Sequence, residues 1–362
     1  MSPQALSTSV CYPDLGATVH FRSPPPGAAE ELPELYGSIF STATWFRIFD
    51  GAEADGACIL KEPRHVLFFS LADDTLEVLN KAFPMAPEDA TRACRALFRA
   101  LPQARRIHLE VMFQPQLLKL PLRVLYWADD MVIDLPTAAD EYTVMLGKRT
   151  RKNLRNAANR LRREHPEVTT RVSVAGADTG ALFDAFLEWH LASCARRGIE
   201  SGYESKPEQA AQTRALIAES GEVQTTLIDG RPAAVEFLFF VGNEATVYAG
   251  AYDPEHGDLS LGFLSTYWAV LESISRGARR CHLLWGTDYY KERLGAHPHR
   301  AVRLSVFRSP AARLASLDEA QEVALRNLRR NGQHEYWRAR HATGRALRDL
   351  RDRAAKVVQH GD

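Results

Sequence analysis

Ala233-Ala234-Val235-Glu236-Phe237-Leu238-Phe239-Phe240-Val241 is an apolar run broken by a single carboxylate, and it lies between the turn signals Asp229-Gly230 and Gly242-Asn243. Gly, Asn and Asp tolerate the left-handed backbone that tight hairpins require. Strands are therefore predicted at 223–228, 233–241 and 245–252, joined as an antiparallel meander. Working outward, a strand at 168–174 and helices at 179–197 (stopped by Gly198) and 208–220 precede it. A helix at 263–276 follows, with the stripe Leu264, Tyr267, Trp268, Leu271 and Ile274, then strands at 280–285 and 302–307. Hairpins interleaved with helices that return to the sheet predict an α+β fold rather than a doubly wound one.

The upstream sequence repeats this mixture. Trp45-Phe46-Arg47-Ile48-Phe49 is a helix candidate, and strands are predicted at 65–69 and 76–79. A helix at 87–101 carries Ala90, Ala93, Cys94, Leu97 and Phe98 on one face, and strands follow at 106–113, 122–127 and 131–135. At 362 residues the chain exceeds one typical domain. The predicted division is a loose leader at 1–37 containing Pro24-Pro25-Pro26-Gly27, a first half at 38–140, a second half at 141–310, and an Arg-rich helical extension at 311–362 opened by a capping box of Ser316 and Glu319.

Hydrophobic residues make up 45% and charged residues 25%, an ordinary globular composition. Net charge is zero but uneven: residues 1–140 hold 12 basic and 18 acidic side chains, the remainder 33 and 27. A positive second half suits a negatively charged ligand there, and equally suits charge pairing between halves. The five cysteines, Cys11, Cys58, Cys94, Cys194 and Cys281, lie far apart without metal-ligand or redox spacing. The opening Met1-Ser2-Pro3-Gln4 begins no apolar run, and no stretch approaches membrane-spanning length. A cytoplasmic protein without a metal is expected. No Walker loop or serine nucleophile elbow is present.

Three features could carry chemistry. Glu236, alone in its apolar strand, would be desolvated and its pKa raised, as suits a general base for an amine; it could equally be a structural carboxylate paired with an Arg. Asp253-Pro254-Glu255-His256-Gly257-Asp258-Leu259-Ser260-Leu261-Gly262 runs into a helix, where glycines and free N–H groups suit a phosphate, or where Ser260 serves as a plain N-cap. Trp285-Gly286-Thr287-Asp288-Tyr289-Tyr290-Lys291 presents Asp288, Tyr290 and Lys291 at a strand end. There Tyr could protonate a thiolate and Lys could hold an anion, or the segment could be a solvated turn.

A basic helix is predicted at 142–164, with Gly147, Thr150, Leu154, Ala157, Ala158 and Leu161 as its buried stripe. Arg151, Arg155 and Arg162 line its margin, while Lys148, Arg149, Lys152, Arg160 and Arg163 point away. This is either a solvated face or a site for donor phosphates at Arg151 and Arg155, with the outward cations meeting an acidic carrier protein or tRNA. His190 and Cys194, one helical turn apart, are expected in the core.

Lys148-Arg149-Thr150-Arg151-Lys152-Asn153-Leu154-Arg155, Gly230-Arg231-Pro232-Ala233-Ala234, Tyr248-Ala249-Gly250-Ala251-Tyr252-Asp253 and Tyr290-Lys291-Glu292-Arg293-Leu294-Gly295-Ala296 occur in this order. In order and spacing they resemble the CelD-type subgroup of the GNAT acyltransferases (BioF-like acetyltransferase domain), related to the Fem-type aminoacyl ligases. Ile39-Phe40-Ser41-Thr42-Ala43-Thr44-Trp45 resembles the start of the non-catalytic first half of such proteins. The resemblance implies two tandem GNAT-like folds and acyl transfer from a thioester, acyl-CoA or acyl carrier phosphopantetheine, to a small-molecule or peptide amine. It implies catalytic roles for Glu236, Tyr248, Tyr290 and Lys291. It places a donor diphosphate near Asp253–Gly262, where Ser260, Leu261 and Gly262 are the candidate donor-binding residues; Trp285 and Asp288 at the strand end are further candidate binding residues. The loop departs from the family in carrying Asp253, Glu255 and Asp258, which are unfavourable beside a diphosphate. A carrier-protein or aminoacyl-tRNA donor is therefore weighed beside acyl-CoA. A Fem-type ligase and a non-catalytic GNAT-like binding module are the alternative functions.

Overall fold

A computed structural model of the protein describes residues 8–51, 54–111, 118–286 and 288–316. The first half contains β1 (Thr8–Tyr12), β2 (Ala17–Phe21), α1 (Leu32–Tyr36), α2 (Ala43–Trp45), β3 (Gly56–Leu60), β4 (His65–Ala72), β5 (Thr75–Val78), α3 (Pro87–Ala100), β6 (Arg106–Val111) and β7 (Leu122–Asp134). The second contains α4 (Ala139–Met145), α5 (Lys148–Glu164), β8 (Thr169–Val174), α6 (Thr179–Arg197), α7 (Gly202–Ser205), α8 (Pro207–Ser220), β9 (Glu222–Ile228), β10 (Arg231–Val241) and β11 (Glu244–Tyr252). It closes with α9 (Leu261–Ser275), β12 (Arg280–Trp285), α10 (Tyr289–Arg293), β13 (His297–Phe307) and α11 (Pro310–Ala315).

The α+β expectation holds. Among the described residues one mixed sheet of 13 strands runs β1-β2-β3-β4-β5-β6-β13-β7-β12-β11-β10-β9-β8. Its two parallel pairings are β5 with β6 and β11 with β12. Each parallel pair needs a crossover, and α3 and α9 supply them. Both halves therefore follow one plan. They are joined by exchange: β7 pairs with β12 of the second half, and β13 pairs with β6 of the first. A cut at residue 140 separates the halves in sequence but not in the sheet.

The central strands are buried on both faces, which is why β10 reads as an unbroken apolar run rather than an alternation. Val235, Phe237 and Phe239 enter one core with Phe183 and Phe186 of α6, while Ala234 and Leu238 enter the other with Leu261 and Leu264 of α9.

Several expectations need correction. Residues 8–37 are not a loose leader. Leu15, Ala17, Val19, Leu32 and Tyr36 are core residues, and the Tyr36 hydroxyl both donates to Val66 O and accepts from Val66 N at 3.0 Å. The strands expected at 122–127 and 131–135 are one strand, β7. Its pairing with β13 skips a residue between Tyr126 and Ala128, a bulge that lets the strand continue past Asp129 and Asp130. The basic helix is two helices. Leu146 and Gly147 are extended, and the Arg151 guanidinium donates to Val144 O (2.7 Å) and Leu146 O (2.6 Å), closing α4. Gly147 is exposed there rather than part of a buried stripe. Of the Arg-rich extension only α11 and Ser316 are described; Glu319 and the remaining helices expected there lie outside the described residues.

Candidate functional site

β11 and β12 pair only over Glu244–Thr246 and Arg280–His282. Below that point three strands are pinned together: Arg280 forks onto Glu244 at 2.7–3.0 Å, and His282 Nδ1 meets Asp130 Oδ2 of β7 at 2.6 Å. Burial opposes a charge on His282, but Asp130 and Glu244 override it and push its pKa up to about 9. Above the clamp the two strands diverge. A bulge also opens β11, because Phe237 pairs with Ala249 and Leu238 with Val247, leaving Tyr248 as the extra residue. Bulges of this kind re-aim side chains beside sites. The opening is a cavity of about 950 Å³ that reaches both faces of the sheet. Phe263 and Tyr252 line it from the α9 core, and Tyr248 and Trp285 from the opposite one.

Glu236 stands at this opening, 5% exposed, directly across from Gly250. A Cβ on Gly250 would lie 2.2 Å from Glu236 Oε2, so the carboxylate occupies the space that the glycine leaves. Thr266 of α9 donates to Glu236 Oε1 at 3.0 Å. Burial pushes the Glu236 pKa up to about 7, against the hydroxyls of Thr266 and Ser265 and the charge of Lys291, which favour ionisation. A carboxylate so tuned exchanges a proton near neutrality, as a general base must.

Lys291, 4% exposed, donates to Leu284 O (3.2 Å) and Trp285 O (2.8 Å). Leu284 has a φ of +53°, which a side-chain-bearing residue adopts at a cost, so the ammonium holds a strained strand end in place. Burial lowers the Lys291 pKa. The sequence suggested an anion-holding lysine at the rim; the structure instead binds it to backbone carbonyls, from where its charge acts on Glu236.

Tyr248, Trp285, Asp288, Tyr290 and Gly262 also line the cavity. Tyr248 stands edge-on to Phe239 at 5.4 Å, and burial raises its phenol pKa. At the start of α9, Ser260 is exposed with a φ of +58° and offers no side-chain cap, and Leu261 is fully buried. Gly262 faces Tyr252, whose ring would be 3.0 Å from an added Cβ. Phe263 and Leu264 donate back to Ser260 O, so the first N–H groups of the helix, at Leu261 and Gly262, precede the helical ladder. In the acidic loop, Asp253 caps Glu255 N at 2.9 Å and Asp258 is ion-paired with Arg160 of α5.

The structure does not bring Arg151 and Arg155 to the cavity: Arg151 closes α4, and Arg155 is exposed on α5. His190 is not a core residue, since it lines the cavity, bonded to Ser201 Oγ at 3.1 Å, with its pKa lowered by burial. Sequence reasoning missed Thr266 and the room that Gly250 makes for Glu236: the Gly242-Asn243 turn alone would set Ala249 opposite Glu236, and the bulge at Tyr248 brings Gly250 there instead. It also missed the first half's share of the wall: Phe40, Trp45, Phe49, Lys81 and Glu110. Those residues are far away in sequence and no local pattern links them to Glu236.

Among the described residues there is no cluster of three or more His, Cys, Asp or Glu able to hold a metal, and no helix long and apolar enough to cross a membrane. Residues 148–292 match the family described as an acetyltransferase (GNAT) domain. No curated protein matches the chain. Among solved structures the chain is similar to a conserved protein of unknown function from Bacteroides thetaiotaomicron VPI-5482, at 13% identity and a TM-score of 0.56, covering 78% of this chain and 97% of that one. It is also similar to FemX, at 12% identity and a TM-score of 0.56, covering 79% and 97%. At these identities the likeness is one of fold.

Proposed function

We propose that the protein is an N-acyltransferase that moves an acyl group from a thioester to an amine by direct attack. The observation that carries this reading is Glu236, buried at the opening between β11 and β12 with a pKa near neutrality. The amine nitrogen attacks the thioester carbonyl, and Glu236, directly or through water, takes its proton. Backbone N–H groups around the bulge at Tyr248–Gly250 polarise the carbonyl. Tyr290 or Tyr248 returns a proton to the departing thiolate. Acyl-CoA or an acyl carrier phosphopantetheine lies with its phosphates toward Gly262 and the start of α9, where unpaired helical N–H groups favour anions. The pairing of Asp258 with Arg160 eases the conflict between the acidic loop and a diphosphate. The motifs at 148–155 and 290–296 favour the CelD-type subgroup.

Glu236→Gln should lower kcat/KM by about 10²–10⁴ with little change in donor affinity. The wild-type profile should lose activity on the acid side with an apparent pKa of about 7. Turnover near wild type in the variant removes Glu236 from the role.

A Fem-type, aminoacyl-tRNA-dependent ligase is the second reading, favoured by the fold shared with FemX and by the exposed Lys148, Lys152 and Arg155 on α5. Ribonuclease sensitivity of a reconstituted reaction would establish it over the first.

A further inference from the structure

Glu236 needs little more than an acyl group and a nitrogen, yet the cavity reaches far beyond it. At about 950 Å³ it stands near the upper end of ordinary ligand pockets, roughly 300–1,000 Å³. On the sheet face opposite α9 its walls are aromatic. Phe40, Trp45 and Phe49 come from the first half, and Phe186, Trp189 and Tyr203 from α6 and α7. Trp45 stacks on Phe49 at 3.8 Å, and Phe40 bridges the halves to Trp285 at 5.5 Å.

The charges on the lining fall into two groups, and Lys206 and Glu208 at the start of α8, like Arg197 and Asp288, belong to the group without an ion pair among the described residues. Lys81 is paired with Asp50, Glu110 with Arg303, and Lys291 with two carbonyls. Arg197, at the end of α6, donates to Ser193 O at 3.2 Å and has no carboxylate partner among the described residues. Asp288 has no cationic partner within ion-pair distance among them either. Arg197, Asp288, Tyr290 and Glu236 all line this one cavity. Partial burial is the main influence raising the Tyr290 phenol pKa; Glu236 and Asp288 raise it further, and Arg197 lowers it. Asp288 and Arg197, an acidic and a basic group, thus share the cavity wall with Glu236 and the aromatic side chains.

We infer that the acceptor is a free α-amino acid with a large apolar side chain, its α-amine at Glu236 and Asp288, its α-carboxylate on Arg197, and its side chain in the aromatic chamber between the halves. The first half then sets acceptor specificity. This assignment rests on reading the cavity as the acyl-transfer site, but acceptor binding can be measured without donor or turnover.

Calorimetric titration of the full chain would compare L-phenylalanine with glycine, phenethylamine and L-phenylalaninamide. Phenylalanine should bind at least about tenfold more tightly than each, since each lacks one recognised group. Arg197→Ala should bring phenylalanine to the level of phenethylamine and phenylalaninamide, and Phe49→Ala should narrow its advantage over glycine. Arg197 is exposed and Phe49 half-buried, so both variants should fold. Equal affinity for phenylalanine and glycine, no binding of any probe, or an Arg197→Ala protein that still discriminates would overturn the assignment. Selective binding without acyl transfer would overturn only the proposed function.

Discussion

Gly250→Ala isolates the contact on which the site depends. Gly250 does not occupy the left-handed region, so alanine is compatible with its backbone. Its added Cβ would lie 2.2 Å from Glu236 Oε2 and 2.4 Å from the carboxyl carbon, far inside van der Waals contact. The carboxylate is held by Thr266 on one side and strand β11 on the other, so it cannot swing away without losing that hydrogen bond. Overpacking of this kind costs about 1–3 kcal/mol. In a Glu236→Ala background the obstruction is gone, and Gly→Ala at a compatible position should stabilise by about 0.4–1 kcal/mol through the unfolded chain. The sign of the effect therefore reverses between backgrounds, and a double-mutant cycle in urea should give a coupling of roughly 1.5–4 kcal/mol from these two ranges. Activity should follow: Gly250→Ala displaces the proposed base and should approach Glu236→Gln in kcat/KM. Equal effects of Gly250→Ala in both backgrounds would refute the placement of Glu236 over Gly250.

Lys291→Met should cost about 1–3 kcal/mol by leaving the Leu284 and Trp285 carbonyls without their donor. It should also raise the Glu236 pKa, moving the acid limb of the rate profile to higher pH, because a charge that favours the carboxylate is lost. Arg151→Ala should lower stability by releasing the end of α4 while leaving donor KM unchanged, which an affinity titration with acyl-CoA would check. His282 has a folded pKa of about 9, above its usual value, so its contribution to stability is complete below about pH 6.5 and is lost as pH rises through 9. Asp130→Asn removes the closest partner, and its stability deficit against wild type should shrink between about pH 6 and about pH 10 in denaturant titrations.

The local parts of this protein were legible because each obeys a short-range rule. Gly198 ends α6 with a φ of +64°, Asp229-Gly230 and Gly242 make left-handed turns, and Pro87 opens α3. Glu236 stood out because a carboxylate in a strand buried on both faces must be either compensated or functional. The expectation of a loose leader fails for an equally physical reason. Pro24-Pro25-Pro26 is irregular, but it separates β2 from α1, and their burial depends on partners such as Val66 that lie much further along the chain. Hydrophobic periodicity continues across Leu146-Gly147 and so predicts unbroken helix there; the break follows from the closure of α4 by Arg151, a contact that hydrophobic spacing does not encode.

The exchanged strands account for what the sequence could not show about the site. Because β7 lies against β12, Asp130 of the first half reaches His282 and fixes the strand whose divergence from β11 opens the cavity. Because β13 lies against β6, Arg303 reaches Glu110 and holds a first-half carboxylate in the cavity wall. Each half thus completes the other's sheet beside the cavity. A second half cut free at residue 141 would lose β7, and with it the antiparallel partner of β12 and the Asp130 side of the clamp. The sequence motifs cluster in the second half, but the strand order makes the cavity a property of both.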